Sequence, residues 1–166
     1  MERSPLADVF DAHVAHEFVD QDVDATMQTM IMEPYLLHLP TLAGGEGRAA
    51  VRRFYEQVFV GKWPADTKVT RVSRTVGTDQ VVDELLISFT HDVPLEFLLP
   101  RVPPTGKQVE LPFVVVMRFE DGKIAHEHIY WDQGSLLVQV VLIDPRVLPV
   151  IGADQASALR SKAAGS

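Results

Sequence analysis

Near Gly61 the hydrophobic period of the chain changes from that of a helix to that of a strand, and most of what can be expected of the fold follows from that switch. Before it, Leu6, Phe10, Val14 and Phe18 recur every fourth residue, which places them on one face of a helix running to about Asp20. Ser4-Pro5 opens this helix, because serine can accept from free first-turn amides and proline fits where no amide bond is needed. Asp22 or Asp24 caps a second short helix carrying Met27 and Met30, with Pro34 as its stop. Tyr35 to Leu39 reads as a short strand, followed by a glycine turn at Gly44, Gly45 and Gly47. A third helix, about Arg48 to Val58, puts Val51, Phe54, Tyr55 and Val58 on one side. After Gly61, the runs Thr67–Val76, Val81–His91, Gln108–Phe119 and Lys123–Asp132 are rich in β-formers. Asp121-Gly122 joins the last two as a hairpin, and Gly77-Thr78-Asp79 turns the first pair. Helices followed by a meander of long strands make an α+β layout, with the helices packed on one sheet face.

Pro94, Pro100, Pro103 and Pro104 keep the segment from Pro94 to Lys107 out of any central strand, since proline donates no ladder bond. A long loop of this kind reads as a lid over a site. Gly134 to Asp144 is almost wholly apolar around Gln139 and needs the sheet or a partner subunit to cover it, while the final SKAAGS reads as a loose tail. The 166 residues suit one domain, with a core at about 6–142 and 143–166 as a C-terminal extension. The net charge of −8 argues against nucleic-acid and anionic-membrane partners, which need clustered positive charge. No apolar run reaches the length of a membrane span and MERSPLADVF lacks a signal-peptide core, so a cytoplasmic protein is expected. The absence of cysteine removes disulfides, thiol catalysis and thiolate-bound metals.

Two stretches carry a family resemblance. Gly47-Arg-Ala-Ala-Val-Arg-Arg-Phe-Tyr55 is similar to the glycine turn and Phe-Tyr-ending helix of the ketosteroid isomerase and SnoaL-type polyketide cyclase group, in the nuclear transport factor 2-like superfamily. Val116-Met-Arg-Phe119, Asp121-Gly-Lys-Ile124 and Ile129-Tyr-Trp-Asp132 resemble the closing hairpin of ketosteroid isomerase, and Pro104-Thr-Gly-Lys107 resembles SnoaL-type sequences. The order of elements agrees from about Leu6 to Leu142. The resemblance implies a conical, curved mixed or antiparallel sheet wrapped around N-terminal helices (a cystatin-like cone), a deep pocket, commonly a homodimer, and chemistry without metal or other cofactor.

Strand parity divides the last strand into Glu127, Ile129 and Trp131 on one face and His126, His128, Tyr130 and Asp132 on the other. Parity alone leaves open which set faces the pocket; the resemblance favours the first. Glu127 would then be a carboxylate in an apolar cone, its pKa raised toward neutrality by burial. A glutamate at the pocket rim, or one paired with an arginine such as Arg118 or Arg74, is the plainer reading. An ungapped count back from Phe54-Tyr55 puts His38 where ketosteroid isomerase carries its catalytic base, and an imidazole suits proton transfer near neutral pH. Otherwise His38 is a strand-end histidine bonded to a loop carbonyl. The positions that resemble that enzyme's enolate-stabilising donors are Val14 and Val115, so its steroid mechanism is not expected here. Phe113, Val115, Met117, Ile129 and Trp131, closed by Val14 and Phe18, would form a greasy substrate pocket or simply core. His91, in a Thr-His pair resembling SnoaL-type sequences, is a further candidate beside the loop; Tyr35 is a candidate hydroxyl at the pocket mouth or a packing tyrosine.

His126, His128 and Asp132 have the composition of a two-histidine, one-carboxylate metal site, but the further ligands and glycine spacings of such folds are missing, so no metal is assigned. His13 with Glu17 and His16 with Asp20 read as surface pairs four residues apart. The leading functional expectation is a lyase or isomerase acting on a small hydrophobic carbonyl or polyketide-like compound. In it His38 takes a proton and Glu127 returns it. The alternative is a non-catalytic module that binds a hydrophobic ligand or a second copy of the chain.

Overall fold

The computed structural model describes residues 4–164. Helix α1 (Pro5–Phe18) begins at Ser4 and Pro5, but the Ser4 side chain makes no capping bond. In α2 (Val23–Gln28) Asp22 is the cap, its side chain accepting from the Ala25 amide at 3.0 Å. Pro34 does not end this helix. The chain leaves it at Gln28 and enters strand β1 (Met30–His38), so Met30 belongs to a strand and the strand begins five residues earlier than Tyr35. Proline is accommodated because the pairing of β1 slips between Met30 and Tyr35, at a bulge where no ladder amide is required.

The expected glycine turn is a second short strand, β2 (Ala43–Glu46). Gly44 sits at φ +143° against β1, where a Cβ would lie 1.9 Å from the Leu36 carbonyl oxygen. Helix α3 (Arg48–Phe54) continues into a π-helical turn, Tyr55–Phe59, closed by the Val60 amide on the Tyr55 carbonyl at 2.9 Å. Strands β3 (Lys68–Val76), β4 (Gln80–Thr90), β5 (Gln108–Glu120) and β6 (Lys123–Trp131) form the expected meander. The six strands make one curved, unclosed sheet in the order β2-β1-β6-β5-β4-β3, with β1 and β6 parallel and every other pair antiparallel. Alternation then gives the sheet an inner face (Leu36, Leu85, Ile87, Phe113, Met117, Ile129) that closes on Phe10, Phe54 and Phe59 from the helical side.

Between β4 and β5 the proline-rich segment is not a detached flap. Leu95, Phe97, Leu98 and Leu99 are buried in the core, and the carbonyls of Phe97 and Leu98 are held by Thr41 Oγ1 at 2.7 Å and Gln133 Nε2 at 3.0 Å. The apolar stretch after β6 forms α4 (Gln133–Gln139), capped by Asp132, and Gln139 ties it to β5 through Glu110. Ser161 to Ala163, expected in the tail, complete a last helix α5 (Asp154–Ala163); Gly165 and Ser166 lie outside the described residues. Among the described residues no helix is long and apolar enough to cross a membrane.

Candidate functional site

The inner face of the sheet and the helices enclose a narrow cavity of about 50 Å³. Eight of the candidate residues line it: Val14, Phe18, His38, Phe113, Val115, Met117, Glu127 and Ile129. The open parity question is therefore resolved in favour of the Glu127 set. Trp131 stands behind the wall, stacked on Phe113 at 5.3 Å and 5.7 Å from the His38 ring, with its indole N–H given to Gln133 at 2.7 Å.

His38 ends β1 and is buried. Its Nδ1 lies 3.2 Å from the carbonyl of Ala43, its antiparallel partner on β2. A carbonyl only accepts, so the ring proton is on Nδ1 and Nε2 keeps its lone pair. Phe54 and Phe97 at 5.2 Å and Phe59 at 6.0 Å complete its surroundings. Burial among these rings disfavours the imidazolium and brings the pKa down to about 4, against the raising effects of the Ala43 carbonyl and the Glu127 charge.

Glu127 is one diagonal step away on the neighbouring strand, since Leu36 pairs with Glu127 and His38 with Ile129. It is not paired with Arg118, which binds Asp79, nor with Arg74, which makes a bidentate pair with the buried Asp83. Instead it accepts from the Tyr55 hydroxyl at 2.8 Å and lies 3.1 Å from His13 Nε2. The same Nε2 is 3.2 Å from Glu17 and 3.1 Å from the Tyr55 hydroxyl. At the other ring nitrogen the Thr29 hydroxyl donates to the Thr26 carbonyl, so its oxygen accepts from His13 Nδ1 at 2.6 Å. All four groups are buried.

This corrects two expectations. His13 and Glu17 are not a surface pair; α1 turns them inward together with Ala7 and Phe10, whereas His16 and Asp20 do pair in the open at 2.7 Å. Nor is the Glu127 pKa raised. Burial pushes it up, but the His13 charge and the hydrogen bonds from His13 and Tyr55 outweigh burial and hold it below the usual glutamate range. Burial would likewise lower the His13 pKa, yet the charges of Glu127 and Glu17 bring it up to about 10. Glu17 goes the other way: burial, with the nearby Glu127 charge, raises it above the usual range despite His13 and Tyr55. The result is an imidazolium–carboxylate pair beside a second, more readily protonated carboxyl group.

Two candidates stand elsewhere. His91 does not line the cavity; its Nδ1 contacts Thr105 Oγ1 at 3.1 Å, and its backbone pairs with Gly106 and Lys107, so it pins the base of the proline-rich segment. Tyr35 lies on the outer face of the sheet, where its hydroxyl and His128 Nε2 share a hydrogen bond of 2.9 Å and its ring stacks on His126 at 4.6 Å. Asp132 is not with these histidines, because it caps α4. Among the described residues one trio converges closely enough to hold a cation: His13, Glu17 and Glu127, with ligand atoms within 4.8 Å of one another. A cation there would have to displace the proton that His13 Nε2 shares with the two carboxyl groups.

A family model described as a SnoaL-like domain matches residues 8–127. No curated protein matches the chain. Among solved structures, a protein described as a SnoaL-like polyketide cyclase from Jannaschia sp. CCS1 is 21% identical with a TM-score of 0.66, over 87% of this chain and 99% of that one. SalBIII, described as an epoxide hydrolase/cyclase-like enzyme in pyran ring formation in salinomycin, is 18% identical with a TM-score of 0.57, over 76% and 90%. A protein from Kribbella flavida described as a ketosteroid isomerase is 12% identical with a TM-score of 0.54, over 77% and 78%. At these identities the likeness is one of fold.

Proposed function

From the premise that the chain belongs to the SnoaL-like domain family, we propose that it is a cofactor-independent lyase or isomerase acting by acid–base chemistry on a small, largely apolar carbonyl or polyketide-like compound. The observation that carries this reading is His38, a neutral imidazole with a free Nε2 lone pair, in an apolar cavity whose only ionisable neighbours among the described residues are the carboxyl groups and phenol of the His13 cluster. Nε2 takes a proton from the carbon beside the carbonyl, and the Glu127 carboxylate steadies the imidazolium that forms. Ring closure, double-bond shift and loss of a hydroxyl group all begin with this step. A base with a pKa of about 4 is weak, so the step depends on the cluster to receive the charge appearing on the substrate oxygen. A cavity of about 50 Å³ holds roughly three waters, so the compound enters only as aromatic side chains such as Phe18, Phe59 and Phe97 turn aside.

The test is exchange of α-protons from a panel of small cyclic and aryl ketones in D2O, followed by proton NMR. His38→Gln and His38→Ala are expected to slow it by about 10²-fold or more. Full exchange in both variants would remove His38 from the role. The alternative, a binding module for a hydrophobic ligand, draws support from the low basicity of His38; it predicts that the wild type binds members of the panel without exchanging them.

A further inference from the structure

The reading above names a base but leaves the acid unassigned, and the protons of the buried cluster can be counted. Around His13 Nε2 stand three oxygens: Glu127 Oε1 at 3.1 Å, Glu17 Oε1 at 3.2 Å and the Tyr55 hydroxyl at 3.1 Å. The imidazolium supplies one proton on this side, because its Nδ1 proton is given to Thr29. Tyr55 supplies another, and it goes to Glu127 at 2.8 Å. Glu127 thus accepts from two donors and is satisfied as a carboxylate. Glu17 shares the Nε2 proton at the longer distance, while the Tyr55 proton is already committed to Glu127. A proton on Glu17 leaves one imidazolium facing one carboxylate, so the buried cluster carries no net charge. Two ionised carboxylates on one imidazolium would leave a net buried charge.

We propose that Glu17 is the catalytic acid of this cavity, delivering its carboxylic proton to the oxygen of a bound carbonyl compound. Glu17 lines the cavity beside Val14 and Phe18, so its carboxyl group can reach the oxygen of a compound bound there. The assignment deepens the proposed function and rests on it for the reaction, though not for where the proton resides. As His38 Nε2 accepts the proton from carbon, the C–H electron pair becomes the new C=C bond. The C=O π pair takes the proton from Glu17, leaving a neutral enol, a Glu17 carboxylate and a His38 imidazolium. Each new charge then has an opposite charge already beside it, His13 for Glu17 and Glu127 for His38. Return of the His38 proton to another carbon, with the enol proton going back to Glu17, completes an isomerisation. The same two groups can instead expel a hydroxyl as water. Glu17 does what the valines at positions 14 and 115 cannot. The direction of its pKa agrees, since burial raises it while the Glu127 pKa is lowered.

The first measurement needs no substrate and no variant. In protein carrying 13C-glutamate, one side-chain carboxyl carbon is expected to keep a carboxylic-acid chemical shift at neutral pH, and infrared spectra should show one carboxylic C=O band that moves in D2O. Glu17→Gln should remove both signals. Wild type with no such signal, or Glu17→Gln that retains it, overturns the assignment. In the ketone-exchange assay Glu17→Gln is expected to lower kcat by about 10²-fold. Exchange abolished by His38→Gln but untouched by Glu17→Gln refutes Glu17 as acid and leaves the proposed function standing; a resident Glu17 proton with no ketone exchange in any form, wild type included, refutes the proposed function instead.

Discussion

His38 makes a sharp prediction about acid stability. In the unfolded chain an imidazole takes up its proton near pH 6.5, whereas in the folded protein it does so only near 4. Between those values the unfolded state binds a proton that the folded state refuses. The stability gained from keeping His38 neutral is therefore fully present above pH 6.5 and is lost as pH falls toward 4. The drop from 6.5 to about 4, at about 1.4 kcal/mol per pH unit, sets the loss at about 3 kcal/mol. His38→Phe keeps the aromatic volume among Phe54, Phe59 and Phe97 and cannot titrate. It also strips the Ala43 carbonyl of its donor, but that offset does not vary with pH. Urea denaturation of both proteins from about pH 7.5 to about pH 4.5 isolates the effect as a difference, in which the titration of the other groups cancels. The variant should gain on the wild type steadily as the pH falls. A difference that stays constant within about 0.5 kcal/mol across the range would refute the reasoning. His13 acts in the opposite window: its raised pKa contributes stability below about pH 6.5 that is lost as pH rises toward 10, so it leaves the acid limb alone.

Two further outcomes follow from the scaffold. Arg74→Met strips the buried Asp83 of bonds at 2.5 and 2.7 Å and should cost about 3 kcal/mol or more by urea denaturation, with most of it recovered when Asp83→Asn is added; a loss below about 1 kcal/mol would contradict the pairing. Gly44→Ala drives a Cβ into the Leu36 carbonyl and should force β2 away from β1, carrying the Ala43 acceptor away from His38. NMR titration of His38 in that variant should therefore show a changed pKa, and an unchanged one would separate the hairpin from the site.

The long elements were legible because local rules and tertiary packing agree on them. Periodicity and the Asp121-Gly122 turn place four strands, and parity put Glu127, Ile129 and Trp131 on one face. Parity also separates Tyr35 from His38, since residues three apart on a strand face opposite ways. It gives no depth, which is why His91 could be read as near the cavity when it sits beyond it, at the root of the proline-rich segment. Pro34 shows a local rule losing: a bulge in the β1–β6 pairing makes room for a residue that usually ends a structure. The most instructive miss is α1. Ala7, Phe10, His13 and Glu17 have helix-face spacing, yet two of them are of charged type, which local rules send to water. Their partners, Tyr55 and Glu127, lie far along the chain, and no local pattern announces such a meeting.

The parallel pairing of β1 with β6 has a consequence for how the protein is made. Strand β1 is complete at residue 38, but its parallel neighbour begins at residue 123. At about 5–20 residues per second, a nascent chain carries β1 out of the ribosome several seconds before its inner neighbour exists. During that interval one edge of β1 is open to other chains, and His13, Glu17 and His38 are without the Glu127 carboxylate that lies beside them in the folded protein. Because β6 lies between β1 and β5, neither the cavity nor the His13 cluster can be complete before residue 127 has been made. A chain released before that point would leave the inner edge of β1 without its partner, which makes premature termination an aggregation hazard.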